Sequence, residues 1–276
     1  MYSGMTVIED FSNWNEFYGK DKKLEVSDLP PGEYFPNMGL VLKYNGAKQH
    51  ALLKFDKEGD RYLSPAKGYY PCKIKPANTE QTLALEMLRD DTVPLVTLFG
   101  AAGSGKTFLA CAHMLHCLAK GSTSKIIIAK NLTPVGREIG YLPGSLEEKV
   151  VPFLGPFYDN FLKLGKSKYE IEENIQLGKM EISPLTFIQG RSISNAILCI
   201  DEIQNSLNMD IVKQIITRAG DNCKVILLGD PSQRFEKGEL DLSYLIEKGK
   251  TSSLVSHLSM RKSVRSPLAN WAVENL

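Results

Sequence analysis

Several things are scarce in this sequence. Its five cysteines, Cys72, Cys111, Cys117, Cys199 and Cys223, are odd in number and include no CxxC pair. That argues against a disulfide scaffold, a zinc ribbon or a redox pair, and for a reducing compartment. No run of roughly 18 apolar residues occurs, and the start, MYSGMTVIED, has no basic segment leading into an apolar one. Neither a membrane span nor a secretory signal is indicated, so a cytoplasmic protein with no membrane partner is expected. An excess of one charge is missing as well, since the net charge is +1 over 276 residues. A globally basic surface is therefore excluded as the route to nucleic acid, and any such binding must rest on local groups. No internal repeat is found.

What is present is ordinary globular material, 43% hydrophobic and 24% charged. At about 100 to 200 residues per domain, the length suits one large domain and a smaller module. Two textures divide the chain. Residues 1–72 carry the short runs GLVLKY, HALLKFD and RYLSP, separated by NGAK and KEGD, which is strand and turn chemistry and predicts a small β-rich N-terminal module. The stretch ahead of those runs, with Lys20, Lys22 and Lys23 and the Pro30-Pro31-Gly32 break, reads as a solvated arm.

Residues 73–276 read differently. From Pro94 onward, apolar runs alternate with amphipathic helices: LVTLF, a helix to about Lys120 stopped by Gly121, KIIIA, then AILCI and KVILL flanking a helix that ends before Gly220. Gly220 is expected as a left-handed C-cap. Fully apolar strands of four or five residues between helices predict an α/β domain with a mostly parallel sheet covered on both faces. Ser145 and Glu148 have capping-box spacing for a further helix, with Pro152 inside it.

The chemistry gathers at the ends of those strands. Gly100, Ala101, Ala102, Gly103, Ser104, Gly105, Lys106 and Thr107 spell GxxxxGK[ST], preceded by a strand-like run and followed by FLACAHMLHCLAK. Glycines there let backbone amides turn toward phosphates, the helix N-terminus adds its dipole, Lys106 reaches the outer phosphates and Thr107 can hold Mg²⁺. Asp201 and Glu202 follow Ile197–Ile200 directly, placing two carboxylates at the carboxyl end of a buried strand, where open α/β sheets bind ligands. Asp201 is the candidate metal residue and Glu202 the candidate base for an attacking water. After the next apolar run comes Gly229-Asp230-Pro231-Ser232-Gln233, with Gln233 placed to sense the γ-phosphate. His113, His116 and Cys117 share a helix face, but a helix packed on the sheet accounts for them without a metal.

With Asn78-Thr79-Glu80-Gln81 upstream, DE-x-Q at Asp201 to Gln204 and GD-x-x-Q at Gly229 to Gln233, the chain resembles superfamily-one helicases. GYLPGSLEEKVVPF from Gly140, QGRSISNAILCIDEIQN from Gln189, ITRAG from Ile216 and VRSPLANWA from Val264 narrow the resemblance to PhoH-family ATPases over about residues 73 to 276. The resemblance implies a single RecA-like P-loop NTPase domain, ATP and Mg²⁺ as cofactors, and Gln81 at the adenine. It also places Gln233, Arg191, Arg218 and Arg265 in family motifs, and the short form looks like those encoded by bacteriophages. Two departures stand out. Lys130-Asn131 occupies the place of the family's Arg-Pro pair, and RFEKGELDLSYL after Gln233 is shorter than the family segment.

Two function classes follow. One is an ATP-driven enzyme acting on single-stranded RNA, an RNA-dependent ATPase or helicase. The other is an NTP-binding regulatory or scaffold protein that hydrolyses ATP without unwinding anything. Because the resemblance implies one RecA-like domain where ordinary relatives use two, a homo-oligomer, ring or hexamer, is expected to supply an arginine in trans. Arg265 is the first choice, set just before a Ser266-Pro267 helix start, with Arg218 and Arg191 as alternatives.

Overall fold

A computed structural model describes residues 2–19, 24–55, 61–130, 146–188, 190–205, 209–231 and 242–262. In chain order its elements begin with β1 (Met5–Ile8), α1 (Trp14–Phe17), β2 (Gly39–Tyr44), β3 (Ala47–Phe55), β4 (Arg61–Pro65), α2 (Thr79–Arg89) and β5 (Leu95–Gly100). They continue with α3 (Lys106–Lys120), β6 (Lys125–Lys130), α4 (Leu146–Lys163), α5 (Lys168–Gln176), β7 (Met180–Pro184) and β8 (Ala196–Asp201). Last come α6 (Met209–Ile216), β9 (Lys224–Gly229), α7 (Leu242–Gly249) and β10 (Val255–Met260). The chain divides into two units, one of residues 1–70, 75–104 and 242–276, the other of 71–74 and 105–241.

In the first unit the N-terminal runs form their own sheet in the order β1-β2-β3-β4. The β2–β3 turn is Asn45-Gly46, both at positive φ (45° and 80°), which is the geometry a two-residue hairpin needs and which these two residue types tolerate best. β1 pairs with β2 in parallel, Met5 opposite Gly39. A parallel pair requires a crossover, and that crossover is the stretch expected to be a solvated arm. The expectation is corrected for the described residues: Phe11, Phe17, Leu24 and Leu29 are buried in one cluster with Leu40, Leu42 and Leu53. Phe11 packs edge-on against Trp14 and Phe17, with ring centroids 5.1 and 5.9 Å apart. Lys20, Lys22 and Lys23 lie outside the described residues.

The same unit holds β10 paired in parallel with β5, and α2, whose N-cap Asn78 accepts the Gln81 amide at 2.9 Å. A buried ionic knot supports it. Lys54 pairs with Asp90 and donates to Asn37 Oδ1 at 2.8 Å, while Asn37 Nδ2 donates to the Ser253 and Val255 carbonyls at 2.8 and 3.0 Å.

The second unit carries a parallel sheet in the order β9-β8-β6-β7. Ile197–Ile200 and Val225–Leu228 are almost fully buried, as continuous apolar runs in a doubly covered sheet should be. Helix α3 ends where Gly121 takes φ 70°, with its N–H and that of Ser122 donating to the Leu118 and Cys117 carbonyls. The C-cap expected at Gly220 is corrected. α6 ends at Ile216, and Gly220 is not left-handed. A Cβ on Gly220 would lie 2.5 Å from Ser194 Oγ and 3.3 Å from the Ile193 carbonyl oxygen, to which the Gly220 N–H donates at 2.8 Å, so the glycine serves close packing rather than a helix cap.

Candidate active site

The expected phosphate loop starts at the end of β5 and runs into the first turn of α3. Gly100 has φ 142°, and a Cβ there would sit 1.9 Å from the Met260 carbonyl oxygen, so no larger residue fits the strand exit. Gly103 and Gly105 are left-handed at 85° and 95°, and Gly105 is the N-cap of α3, which starts at Lys106 and Thr107. The helix therefore opens directly behind a loop of glycines, the arrangement that receives phosphate oxygens.

Within the first unit, α2 secures residues 100–104 of the loop. Gln81 Nε2 donates to the carbonyl of fully buried Ser104 at 3.1 Å, and its Oε1 accepts the Ala77 amide at 2.8 Å. One N–H and one lone pair of that side chain remain for a base edge. Its neighbour Glu80, a residue passed over in the sequence, accepts the Arg261 and Lys262 amides through Oε2 at 3.0 and 2.9 Å. One helix N-terminus thus holds both Ser104 and the segment leaving β10.

Within the second unit, β8 delivers Asp201 and Glu202. Asp201 is buried, and burial together with the adjacent Glu202 carboxylate pushes its carboxyl up to about 6. Lys130, the Glu202 amide (3.0 Å to Oδ1) and Lys106 oppose that rise. Lys130 stands directly opposite Asp201 in the β6–β8 register. The departure from the family's Arg-Pro pair thus puts a lysine beside this carboxylate. Asn131 lies outside the described residues.

Glu202 takes φ 57°, a left-handed conformation that costs a non-glycine residue about 1 kcal/mol or more and is concentrated at functional sites. Its carboxylate accepts from Gln204 Nε2 at 2.6 Å, and the Gln204 Oε1 accepts the Asp230 amide at 3.0 Å. Asp201, Glu202, Lys106 and Asp230 are therefore tied into one region of this unit through Lys130 and Gln204. Cys111 and Cys199, both fully buried, feel Asp201 too. Burial first and that charge second push their thiols well up, which keeps them protonated and unreactive.

The arginines fare differently. Arg191 is engaged by Glu181, with a second contact at 3.0 Å, and Lys125 reaches the same carboxylate at 2.6 Å. Arg218 keeps a buried Nε that meets no acceptor among the described residues. Gln233 and Arg265 lie outside the described residues, as do Ser145, Ser266 and Pro267. His113 is buried, its imidazole lowered to about 3 by burial, Lys224 and His116. Its ring lies 3.6 Å from Cys117 Sγ, and among the described residues no group of three His, Cys, Asp or Glu suits a metal. No described helix is long and apolar enough to cross a membrane.

Comparison with known proteins agrees with this geometry. Residues 73–276 match the model of the family described as PhoH-like protein. Protein PhoH2 of Bacillus subtilis (strain 168) is 36% identical over 290 residues, covering the whole of this chain and 64% of the relative. A PhoH-like protein of the same organism is 31% identical over 269 residues, covering 93% of this chain and 82% of the relative. For Protein PhoH2 of Mycolicibacterium smegmatis the identity is 34%, over 85% of this chain and 52% of the relative. The chain thus spans between about half and two thirds of the PhoH2 proteins it matches. These relatives are bacterial and lend no support to a phage-encoded form. Among solved structures, the Pif1 helicase from Candida albicans aligns over 73% of this chain and 43% of its own at 16% identity, with a TM-score of 0.33, too low to argue from. On the family match and the identity to its bacterial relatives, this chain belongs to the PhoH-like protein family.

Proposed function

We propose that this chain hydrolyses ATP with Mg²⁺ and couples hydrolysis to single-stranded RNA, as an RNA-dependent ATPase or helicase. The observation that carries the hydrolysis is the Asp201–Glu202 pair, two crowded carboxylates at the end of a parallel strand in the same unit as Lys106 and Thr107. A buried carboxylate lifted to about 6 is one that a divalent cation would relieve, and hydroxyl and carboxylate oxygens suit magnesium. Thr107 and Asp201 would hold it, and when bound it neutralises charge on the phosphates. Lys106 adds an ammonium to the outer phosphates. Glu202 orients the attacking water and accepts its proton, and Gln233 senses the terminal phosphate. Gln81 offers its remaining donor and acceptor to adenine.

Replacing Lys106 by Ala is expected to lower both nucleotide binding and turnover. Glu202→Gln is expected to spare binding while cutting turnover by a factor on the order of a hundred or more. A Glu202→Gln protein with near-normal turnover would remove the base. The RNA coupling rests on the helicase-like pairing of DE-x-Q with GD-x-x-Q, and steady-state hydrolysis with and without single-stranded RNA tests it. Turnover indifferent to any nucleic acid would favour the regulatory or scaffold reading.

We further propose that an arginine from a neighbouring copy, in a ring or hexamer, stabilises the transition state. Arg191 is already bonded to Glu181, which leaves Arg265 and Arg218 as the better donors. Mixing Arg265→Ala with Glu202→Gln chains should then restore activity that neither has alone, whereas mixtures with none recovered would argue against donation in trans.

A further inference from the structure

Gln204 is buried in the turn after β8, and its side-chain amide can be oriented in only one way. The Asp230 main-chain N–H must meet an oxygen, so Oε1 faces it at 3.0 Å. That turns the NH₂ group onto the Glu202 carboxylate at 2.6 Å. A flipped amide would set donor against donor and acceptor against acceptor. The side chain therefore converts the position of one backbone, at the exit of β9, into the position of one carboxylate, at the exit of β8. Glu202 itself is left-handed at φ 57°, outside strand geometry, and its carboxylate meets Gln204 at 2.6 Å, with Asn205 Nδ2 a longer donor at 3.5 Å.

We infer that Gln204 is a positioning residue for the hydrolytic carboxylate, linking the loop that starts at Asp230 to Glu202, an inference that rests on the proposed role of Glu202. Among the described residues its side-chain amide bonds to the Glu202 carboxylate and the Asp230 main chain, and not to the phosphate loop. The link acts on the chemical step and leaves ground-state nucleotide binding alone. Movement of the Asp230 amide on nucleotide binding would be transmitted through a single rigid amide group rather than through the flexible ends of two long side chains.

The test compares Gln204→Ala with Gln204→Glu, which keeps the shape and the acceptor for the Asp230 N–H but replaces the donor to Glu202 by a repelling oxygen. Each full chain is assayed for kcat, KM, and affinity for a ground-state ATP analogue and for ADP with aluminium fluoride as a mimic of the transition state. The expected result is a fall in kcat on the order of tenfold to a hundredfold in both variants. KM and ground-state affinity should stay within about twofold, and affinity for the transition-state mimic should fall by the same factor as kcat. Wild-type kcat in Gln204→Glu, or a loss confined to KM and ground-state affinity, would overturn the inference. Should Gln204→Ala fail to fold, the isosteric Gln204→Glu alone decides. Glu202→Gln is run beside them: near-normal turnover in that variant refutes the base assignment itself, whereas its inactivity combined with active Gln204 variants refutes only the link.

Discussion

Two aspartates withdrawn from solvent, Asp90 partly and Asp201 almost wholly, one in each unit, show how differently the same side chain can be housed. Asp90 in the first unit is partly buried, which alone would push its carboxyl up, yet hydrogen bonds from Lys54 and Thr92 hold it below the ordinary aspartate range. Asp201 in the second unit is buried beside another carboxylate, and the cations near it do not make up the difference. Lys54 and Thr92 are donors to Asp90, and through Asn37 the pair with Lys54 joins β3, α2 and the start of β10. Asp201 is under-compensated, which is the observation behind the proposal that it takes a cation. Polar groups satisfied by the fold build structure, whereas those left in conflict mark where chemistry is done.

Neutralising each aspartate should therefore have opposite effects. The largest is on catalysis. Asp201→Asn should cut magnesium-dependent turnover by a factor on the order of a hundred or more, while the nucleotide-free protein becomes more stable by about 2 kcal/mol in chelator-containing buffer at neutral pH. The sign follows from a folded value raised above the unfolded one. The fold favours the protonated acid, so the penalty appears as pH rises toward about 6, and asparagine is spared it. Unfolding by urea at pH 7 checks this, and an Asp201→Asn protein no more stable than wild type would mean that Asp201 is not under-compensated.

At Asp90 the same change should destabilise. Asp90→Asn strands the Lys54 ammonium, itself almost buried, and breaking one partner of such a pair costs about 3 kcal/mol. A lowered urea midpoint is expected, with the Glu202-dependent turnover of the remaining folded protein unchanged. A neutral result would show that Lys54 finds enough water or enough of Asn37 to do without the carboxylate.

Much of this contrast was legible in sequence and some was not, for physical reasons. The strands at Leu95, Lys125, Ala196 and Lys224 and the loop between Gly100 and Thr107 follow from local signals, apolar runs and glycine spacing, which need no knowledge of what packs where. β10 gives no such signal because Ser256, His257 and Ser259 interrupt it. His257 and Ser259 are tolerated because His257 is bonded to Thr97 at 2.8 Å and to Ser259 at 3.0 Å, partners only the fold reveals, whereas the buried Ser256 Oγ meets no partner among the described residues. The burial of Phe11 and Phe17 was hidden behind a parallel pairing of β1 and β2 that local texture does not announce. Lys130 beside Asp201 depends on strand register, and the role of Gln204 depends on an amide 26 residues further along the chain. Local rules find the elements, and the contacts that tune a carboxylate are non-local.

The smallest effect expected concerns a third carboxylate, which lies between the two extremes. Glu181 on β7 is held to about 2 by its hydrogen bonds with Arg191, against partial burial, and by Lys125. Here the folded value is depressed, so the stabilisation is fully present above the ordinary glutamate range and is lost as pH falls through it toward about 2. Taken at face value the shift would correspond to about 3 kcal/mol, but Arg191 is more than a third exposed and its charge is screened, so about 1 kcal/mol is expected. Wild type and Glu181→Gln should differ by that amount in urea unfolding at pH 7 and converge as the solution is acidified below pH 4. Raising salt should narrow the gap at neutral pH, since part of it is Coulombic. If Arg191 were instead the transition-state arginine, releasing it through Glu181→Gln would raise ATP turnover. The pairing seen in this structure leads to the opposite expectation, turnover unchanged by Glu181→Gln and by Arg191→Ala alike. A turnover loss confined to Arg191→Ala would place that arginine at the nucleotide and reduce its bond to Glu181 to a resting position.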